Sequence, residues 1–336
     1  MRFRAGDART PGRRAVSLST LATMGMMLAW TQAAQALPPA CPTFFPDFRC
    51  DRHGRYEGFV APVMDPFLFE DPFITTGVSA WGIWHEFPNS SVLEGGHLWG
   101  AAVQARVAIT DRIAFIATKD GWVDFDPTLD LMNHSQGFAN LGLGLKGSLV
   151  DSPEHAFILT PSLRVEIPTG SADVLQGAGN GTLIPALSAA WGHDRFHVIG
   201  MIGGQVPFDT NDSSTSFLYD LHLDYAVHRF VVPFVELAGF HYTDGGDGSR
   251  SIRLAHGQHA PIGAALQLLG KPGQEGYDYA NLGSPGVAGN DLVVGAVGLR
   301  VPLNRHLSFG AAWEHVLTNR EDVIRQRATM NVTFEY

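Results

Sequence analysis

The chain ends in IRQRATMNVTFEY (residues 324–336), a stretch in which two kinds of side chain alternate. A period of two is that of a β-strand, because successive side chains of a strand point to opposite faces of the sheet. A helix would instead bring apolar residues back every three or four positions. The more apolar face comprises Ile324, Gln326, Ala328, Met330, Val332, Phe334 and Tyr336. The polar face comprises Arg325, Arg327, Thr329, Asn331, Thr333 and Glu335.

The same alternation recurs along the chain. In residues 216–227, Leu221 lies on the apolar face and His222 on the polar one, and residues 155–168 show the same pattern. The first, third and ninth of the segments are the least regular. The full set of predicted strands is 73–85, 97–109, 112–125, 138–150, 155–168, 182–192, 195–206, 216–227, 230–243, 290–303, 306–317 and 324–336.

Composition and pattern together predict a protein that crosses a membrane with strands. Charged residues make up 17% of the chain, below the roughly one quarter usual in soluble domains. After residue 36 no apolar run reaches the roughly 20 residues of a spanning helix, and without such helices only a closed barrel satisfies the backbone in lipid. We therefore predict an all-β fold, a transmembrane antiparallel up-and-down β-barrel of about 12 strands over residues 73–336. A soluble β-sandwich is the alternative.

The connections between the predicted strands alternate in length. The longest of the long connections covers residues 243–289 and is rich in Gly, Ser, Asp and Pro. Short periplasmic turns that alternate with longer outer loops are typical of bacterial outer-membrane barrels. A soluble sandwich has no reason to keep this parity. The very short connections lie near residues 110–112, 151–154, 193–195, 227–229 and 304–305.

Residues 1–36 have the organisation of a secretory signal peptide. Arginines come first, an apolar stretch covers residues 15–30, and the small residues Ala34 and Ala36 then offer a cleavage site. The alternative is an N-terminal membrane anchor, for which the apolar stretch is short. The segment predicts export through a cleaved signal peptide and localisation in the outer membrane.

The ending at Tyr336 resembles the C-terminal signal of outer-membrane barrels, in which the last strand finishes on an aromatic residue, most often Phe. The expected partners are therefore outer-membrane lipid, the barrel-assembly machinery during biogenesis and a small-molecule solute. The net charge of −10 argues against nucleic acid as a partner.

Between the signal peptide and the first predicted strand lies an extension, residues 37–72, that is rich in Pro and Phe. We expect it to be a periplasmic or lumen-plugging element rather than a wall strand. Cys41 and Cys50 lie within it, and in an oxidising compartment they are candidates for a short disulfide loop. Two free thiols or half of a metal site are the alternatives.

Charged residues on the polar faces are candidates for lining the barrel lumen. Buried charges need partners, so we expect these residues to form ion pairs with one another. Asp220, His222 and Asp224 share one strand face, for which a metal site is the less favoured interpretation. The candidates are Arg164, Glu166, Asp220, His222, Asp224, Arg300, Glu314, Arg325 and Arg327.

The sequence offers no convincing catalytic or cofactor site. Residues 142–147 match GxGxxG, but they lie within an alternating strand, whereas a dinucleotide site needs a helix to follow. His134 and Ser135 are adjacent in a predicted loop, so they cannot meet as nucleophile and base. We therefore predict no enzyme activity, no catalytic residues, no cofactor and no bound metal.

Three short segments resemble known barrel proteins. They are RVEIPTG (residues 164–170), PFLFEDP (residues 66–72) and TDRIAFIATKDG (residues 110–121). The first is similar to the corner found in barrels of the type called MetA-pathway of phenol degradation, often described as transporters. The resemblance implies an outer-membrane barrel for uptake of small aromatic or other apolar molecules, and it assigns no ligand residues.

The expected function is accordingly a channel or passive transporter for small molecules. A structural or surface-binding barrel with a closed lumen is the alternative, with residues 243–289 as its contact element. A barrel enzyme is less favoured than either.

Overall fold

Neighbouring wall strands pair in chain order, and the first pairs with the last, so the sheet closes on itself. The result is a closed antiparallel β-barrel of 12 wall strands, which confirms the fold that the alternation predicted. The computed structural model describes residues 55, 56 and 58–336. The predicted signal peptide (residues 1–36) and the predicted cysteine pair, Cys41 and Cys50, lie outside these residues.

Some wall strands are interrupted, so the strand segments outnumber the wall strands. β3 and β4 together form the third wall strand, while β5, β6 and β7 follow one another along the fourth. β13 and β14 form a separate small sheet, followed by the helix α1 (Ile262–Leu268). The strands are β1 (Gly77–Glu86), β2 (Gly96–Ala108), β3 (Ile113–Lys119), β4 (Trp122–Pro127), β5 (Ser135–Phe138), β6 (Leu141–Gly147), β7 (Val150–Ser152), β8 (Phe157–Ile167), β9 (Thr182–His193), β10 (Phe196–Pro207), β11 (Thr215–Tyr225), β12 (Val232–Asp244), β13 (Ser251–Arg253), β14 (His259–Pro261), β15 (Asp291–Pro302), β16 (Leu307–Val316) and β17 (Gln326–Glu335).

The wall begins at Gly77, whereas the alternation placed the start of the first strand at residue 73. β1 pairs with β17 from Gly77–Glu335 to Glu86–Gln326, and its other edge pairs with β2. Residues 73–76 are aromatic and β-branched, which makes them resemble a strand. They are instead the final part of a segment that lies inside the barrel.

The third wall strand contains a β-bulge, which explains its irregular pattern. β2 pairs with β3 and with β4 in registers that differ by one residue. At the bulge the carboxylate of Asp120 accepts a hydrogen bond from the backbone N–H of Val103 at 2.9 Å. Gly121 follows with φ of 119°, a conformation that favours glycine. Thr118 and Lys119 are consequently both buried, although they are adjacent in the chain.

The two ends of the barrel differ. At one end, here the short-turn end, tight connections join β2 to β3, β9 to β10 and β15 to β16. At the other, the long-loop end, the largest connection is the outer loop, defined as residues 245–290 between β12 and β15. The N-terminal end of β1 and the C-terminal end of β17 both lie at the short-turn end. The predicted alternation of short and long connections is therefore present.

The faces of the wall strands agree with the alternation. On β11, Leu221 is 38% exposed while His222 is fully buried. On β17, Met330 is exposed and Thr329 is buried. The outward face is thus the apolar one, as expected of a wall that faces hydrocarbon. No helix among the described residues is long and apolar enough to cross a membrane.

We expect Leu221→Arg to reduce assembly strongly, because Leu221 lies near the middle of β11 on the outward face. An arginine on the lipid face at the bilayer midplane costs about 2–4 kcal/mol. The folded fraction after refolding into vesicles, measured by heat-modifiable gel migration, checks this expectation. Leu268→Arg is the control, because Leu268 is 78% exposed on α1, away from the wall. Equal folding of both variants would mean that the face of β11 is misassigned.

Candidate functional site

The lumen contains a length of chain that is not part of the wall. Residues 58–76, here the inserted segment, enter and leave at the short-turn end. Before the segment, Arg55 pairs with the carboxylate of Asp151 on β7, and the Tyr56 hydroxyl donates to the same carboxylate at 2.7 Å. The segment turns back at Asp65, which has φ of 49° and whose carbonyl accepts the N–H of Leu68 at 3.2 Å.

Aromatic packing holds the segment at its point of entry. The ring centroids of Phe59 and Phe73 lie 5.3 Å apart, and Phe59 also lies 4.4 Å from the ring of His197 on β10. Phe69 is in the same buried cluster, which includes Ile199 on the wall. The base of the segment is therefore an apolar seal.

Two wall arginines bind the backbone of the inserted segment. Both are almost fully buried, and both are among the predicted lumen-lining residues. Arg164 donates to the carbonyls of Phe67 at 3.0 Å and Leu68 at 2.7 Å. Arg300 donates to the carbonyls of Ala61 at 2.7 Å and Pro62 at 3.2 Å.

Other wall side chains also form hydrogen bonds with the backbone of the inserted segment. The Glu236 carboxylate accepts the N–H of Val63 at 2.9 Å and that of Met64 at 2.7 Å. These contacts are made to backbone groups of the inserted segment. Their strength therefore depends on where the segment lies more than on which side chains it carries. Neutral donors on three wall strands also bind carbonyls of the segment: Gln104 that of Pro66 at 2.6 Å, Thr160 that of Pro72 at 2.7 Å and Ser188 that of Glu70 at 2.6 Å.

Glu70 is the main charged contact of the inserted segment. Arg106 of β2 binds its carboxylate through two nitrogens, at 3.0 and 2.7 Å, and Lys146 of β6 binds it at 2.6 Å. Lys146 also contacts the carboxylate of Asp71 at 3.1 Å. Burial acts to raise the pKa of Glu70, but Arg106 and Lys146 outweigh it and lower that pKa from 4.5 to about 2.

Glu236 ends a chain of four hydrogen-bonded side chains on the wall. His197 Nδ1 lies 2.7 Å from Asp224 Oδ1, and His222 Nε2 lies 3.1 Å from Asp224 Oδ2. His222 Nδ1 lies 2.6 Å from Glu236 Oε1. Both ring nitrogens of His222 thus face carboxylate oxygens, which can only accept when ionised. The arrangement suits an imidazolium with two donors.

The outer loop fills the lumen from the opposite end. Arg327 of β17 binds both oxygens of Asp278, at 2.7 and 2.8 Å, and contacts the carboxylate of Glu314 on β16 at 2.8 Å. The guanidinium of Arg327 also lies 4.8 Å from the ring centroid of Tyr277. Asp278 and Tyr277 belong to the outer loop, so Arg327 ties this loop to the wall.

Tyr279 is a second anchor of the outer loop inside the lumen. Its carbonyl accepts hydrogen bonds from Lys119 at 3.2 Å and from Gln176 at 2.7 Å. Its hydroxyl donates to the carbonyl of Val174, and its ring stacks on that of Phe125 at 6.4 Å. Through Tyr279 the loop therefore contacts the third wall strand and the connection between β8 and β9.

The remaining space in the lumen is divided into clefts. Three of these measure about 480, 420 and 340 Å³, each including its open mouth. They share no lining residue. The second is mostly apolar, and Phe67, Ile83, Leu98, Val123 and Tyr279 are among its lining residues.

The structure brings most of the predicted lumen-lining residues together inside the barrel. Glu166 pairs with Lys119 at 2.9 Å at the edge of the interior. Arg325 differs, because it precedes β17, is about half exposed and pairs with Glu86 at 3.1 Å outside the packed lumen. The buried residues are Arg164, Asp220, His222, Asp224, Arg300, Glu314 and Arg327.

Several residues of the site were not selected from the sequence. Lys146 lies in a predicted strand, on the side now seen to face inward, so the alternation could have identified it. Glu70 and Asp71 lie in a segment whose path no local pattern predicts. Among the described residues, no group of His, Cys, Asp and Glu is arranged to hold a metal ion, and this includes Asp220, His222 and Asp224.

No protein-family model matches this sequence, and no curated protein matches it. Among solved structures, it is similar to an outer membrane channel from Pseudomonas putida F1, with 13% identity, a TM-score of 0.50, and 83% of this chain and 100% of that chain covered. The NanC porin aligns at 6% identity over 77% of this chain and 100% of that chain, with a TM-score of 0.47. A FadL homologue from Pseudomonas aeruginosa aligns at 10% identity over 87% and 99% of the two chains, with a TM-score of 0.37. The first similarity shows a shared barrel fold and no more.

Proposed function

We propose that this protein is a gated channel or passive transporter of the outer membrane, and that the structure represents its closed state. The inserted segment and the outer loop are the two elements that close the lumen. The apolar outer face of the wall and the alternation of short turns and long loops support the location in the outer membrane. The signal peptide predicted over residues 1–36 accords with export.

The observation that carries this proposal is that the wall closes without the inserted segment. β1 pairs with β17 along its length, and the segment takes no part in that ladder. A narrow structural barrel fills its interior with the side chains of its own strands. Here a separate length of chain fills much of it, held by polar contacts that can be exchanged for water. A segment held in this way is better suited to be a removable plug than a permanent part of the barrel core.

The apolar cleft of about 420 Å³ favours a solute that is small and apolar or aromatic. Its lining includes Phe67 of the inserted segment and Tyr279 of the outer loop, so it lies between the two closing elements. The resemblance of residues 164–170 to barrels of the phenol-degradation type agrees with this class of solute. The fixed charges of this lining are Lys119, Asp120 and Arg327, and the ammonium of Lys119 lies 5.7 Å from the ring centroid of Phe67.

A variant that lacks residues 38–72 tests the proposal. We expect it to insert as a folded barrel, because every pair of neighbouring wall strands is retained. We also expect a higher single-channel conductance in planar bilayers and faster uptake of small solutes by vesicles. The outer loop remains in this variant, so a second variant should add a short Gly-Ser linker in place of residues 272–286.

The control for both deletions is a linker of the same kind in place of residues 255–258, which lie in the outer loop next to β13 and β14. Conductance should not change in that control. If both deletions fold and neither conducts, the lumen is closed by the wall itself. The structural or surface-binding barrel would then be the better interpretation. The hydrogen bonds that Tyr279 accepts from Lys119 on the wall and from Gln176 in the β8–β9 connection favour that second function.

A further inference from the structure

Carboxyl groups from both closing elements meet at the centre of the lumen. Asp65 lies at the turn of the inserted segment, and Asp278 lies in the outer loop. Asp220 of β11 faces the same point from the wall, and the electrostatic field of both neighbours acts on Asp65. This is where the element that enters from the short-turn end touches the one that enters from the long-loop end.

The three carboxyl groups differ in the number of hydrogen-bond donors that reach them. Asp278 receives two hydrogen bonds from Arg327. Among the described residues, by contrast, none donates to either oxygen of Asp65 or of Asp220. Their exposed fractions are only 1% and 6%, so bulk water cannot replace the missing donors.

The nearby cations bind other groups, and although Arg164 Nε is buried without a hydrogen-bond partner among the described residues, it makes no hydrogen bond to Asp65 or Asp220. Arg164 of β8 directs two nitrogens at backbone carbonyls of the inserted segment, and Arg327 of β17 is shared by Asp278 and Glu314. His85 of β1 interacts with Asp278, and its Nε2 lies 2.9 Å from the carbonyl oxygen of Val323. Tyr277 of the outer loop and Glu236 of β12 also face this point. Neither supplies a positive charge. His222, the nearest imidazole on β11, is bonded at both ring nitrogens to other carboxylates.

An ionised carboxylate that is buried without a donor is costly, and such a group usually takes up a proton instead. We propose that Asp65 is protonated when the lumen is closed and donates to Asp278, so that a proton locks the inserted segment against the outer loop. The unpartnered Asp220 carboxyl is neutral in the same state. This proposal rests on the proposed channel function, whose regulation it describes.

The direction of the pH dependence follows from this arrangement. Burial, and then the negative charge of Asp278, raise the pKa of Asp65 well above its ordinary value. In an open lumen the same carboxyl would meet water and lose its proton at its ordinary pKa. The closed state therefore binds more protons, so it is favoured at lower pH and is lost as the pH rises through the raised pKa.

Planar-bilayer recordings of the full-length protein over a series of pH values test the lock. When Asp65 and Asp220 each release a proton, the ratio of open to closed channels should rise by up to about 100-fold per pH unit. Asp65→Asn should reduce this dependence to that of one proton and favour the closed channel, because an amide can donate to Asp278 at every pH. Asp291→Asn is the matched control, since Asp291 is more than half exposed and bonds His241 away from the lumen.

Infrared spectroscopy supplies a readout that does not depend on conduction. The carbonyl band of a buried, protonated carboxylic acid should be present in the wild-type protein and should weaken in Asp65→Asn and in Asp220→Asn. It should persist in Asp291→Asn. Absence of this band in the wild-type protein would overturn the lock, as would opening by a chelator of divalent cations at constant pH.

The outcome can be separated from that of the channel proposal. If the variant without residues 38–72 conducts while the wild-type protein stays closed at every pH, the lock is wrong and the channel function stands. If no variant conducts at any pH, the channel function itself is wrong. A wild-type channel that opens on acidification while the pH is still above 4.5, the ordinary pKa of Glu70, would overturn the lock and show that another group controls the gate.

Discussion

Replacing Arg327 with methionine is expected to destabilise the protein by about 3–5 kcal/mol, the usual cost of breaking a buried ion pair by removing one partner. Arg327 is 1% exposed and lies between Asp278 and Glu314, which are themselves buried. Methionine occupies a similar volume but leaves both carboxylates without their cation. The wall is affected as well as the outer loop, because Thr329 on the same strand also donates to Glu314, at 2.5 Å.

The urea midpoint of unfolding in detergent micelles measures this effect. Arg325→Met is the matched control, because Arg325 lies two positions away and pairs with Glu86 while about half exposed. Its effect should be within about 1 kcal/mol, as for other exposed ion pairs. Adding Asp278→Asn and Glu314→Gln to Arg327→Met should recover part of the loss, since no unpaired charge then remains. Equal effects of the two arginine substitutions would contradict the proposed role of Arg327.

The second large effect is expected at Glu70, which holds the inserted segment rather than the wall. Glu70→Gln keeps the shape of the side chain but removes the charge that Arg106 and Lys146 share. The variant should fold, because Glu70 lies outside the barrel ladder. A loss of about 3 kcal/mol from the closed state would raise the ratio of open to closed channels roughly 100-fold.

The comparison for Glu70→Gln is Ser188→Ala, which removes one neutral hydrogen bond to the carbonyl of Glu70. A bond of this kind contributes about 1 kcal/mol, so the change in open probability should be several times smaller. Single-channel recording at neutral pH distinguishes the two. If the Glu70→Gln variant remains as closed as the wild-type protein, the charge of Glu70 does not hold the inserted segment in place.

Strong acid should act on the wild-type protein in the same direction as Glu70→Gln. Because the pKa of Glu70 is lowered to about 2 by its cations, Glu70 stabilises closure fully above its ordinary pKa of 4.5. That contribution is lost as the pH falls from 4.5 towards 2. Protonation of Asp65, in contrast, stabilises the closed state. Closure should therefore be most stable at a pH between the titration of Glu70 and that of Asp65.

The sequence predicted much of the wall because the information there is local. The period of two in residues 324–336 or 216–227 is visible within a single strand, and it fixes which side chains face lipid. The prediction was weakest where this period breaks. At the bulge near Asp120 one extra residue sends Lys119 into the lumen, and at residues 73–76 a strand-like composition belongs to the inserted segment.

The sequence by itself determined the fold class, the inward and outward faces and the parity of the connections. Each of these follows from neighbours along the chain and from what lipid and water accept. Only the tertiary structure decided how the lumen is filled. Glu70 meets Lys146 from 76 positions away and Asp278 meets Arg327 from 49, and no local pattern encodes such pairs. Closure of the barrel brings these charges together, and burial then makes each depend on its partner.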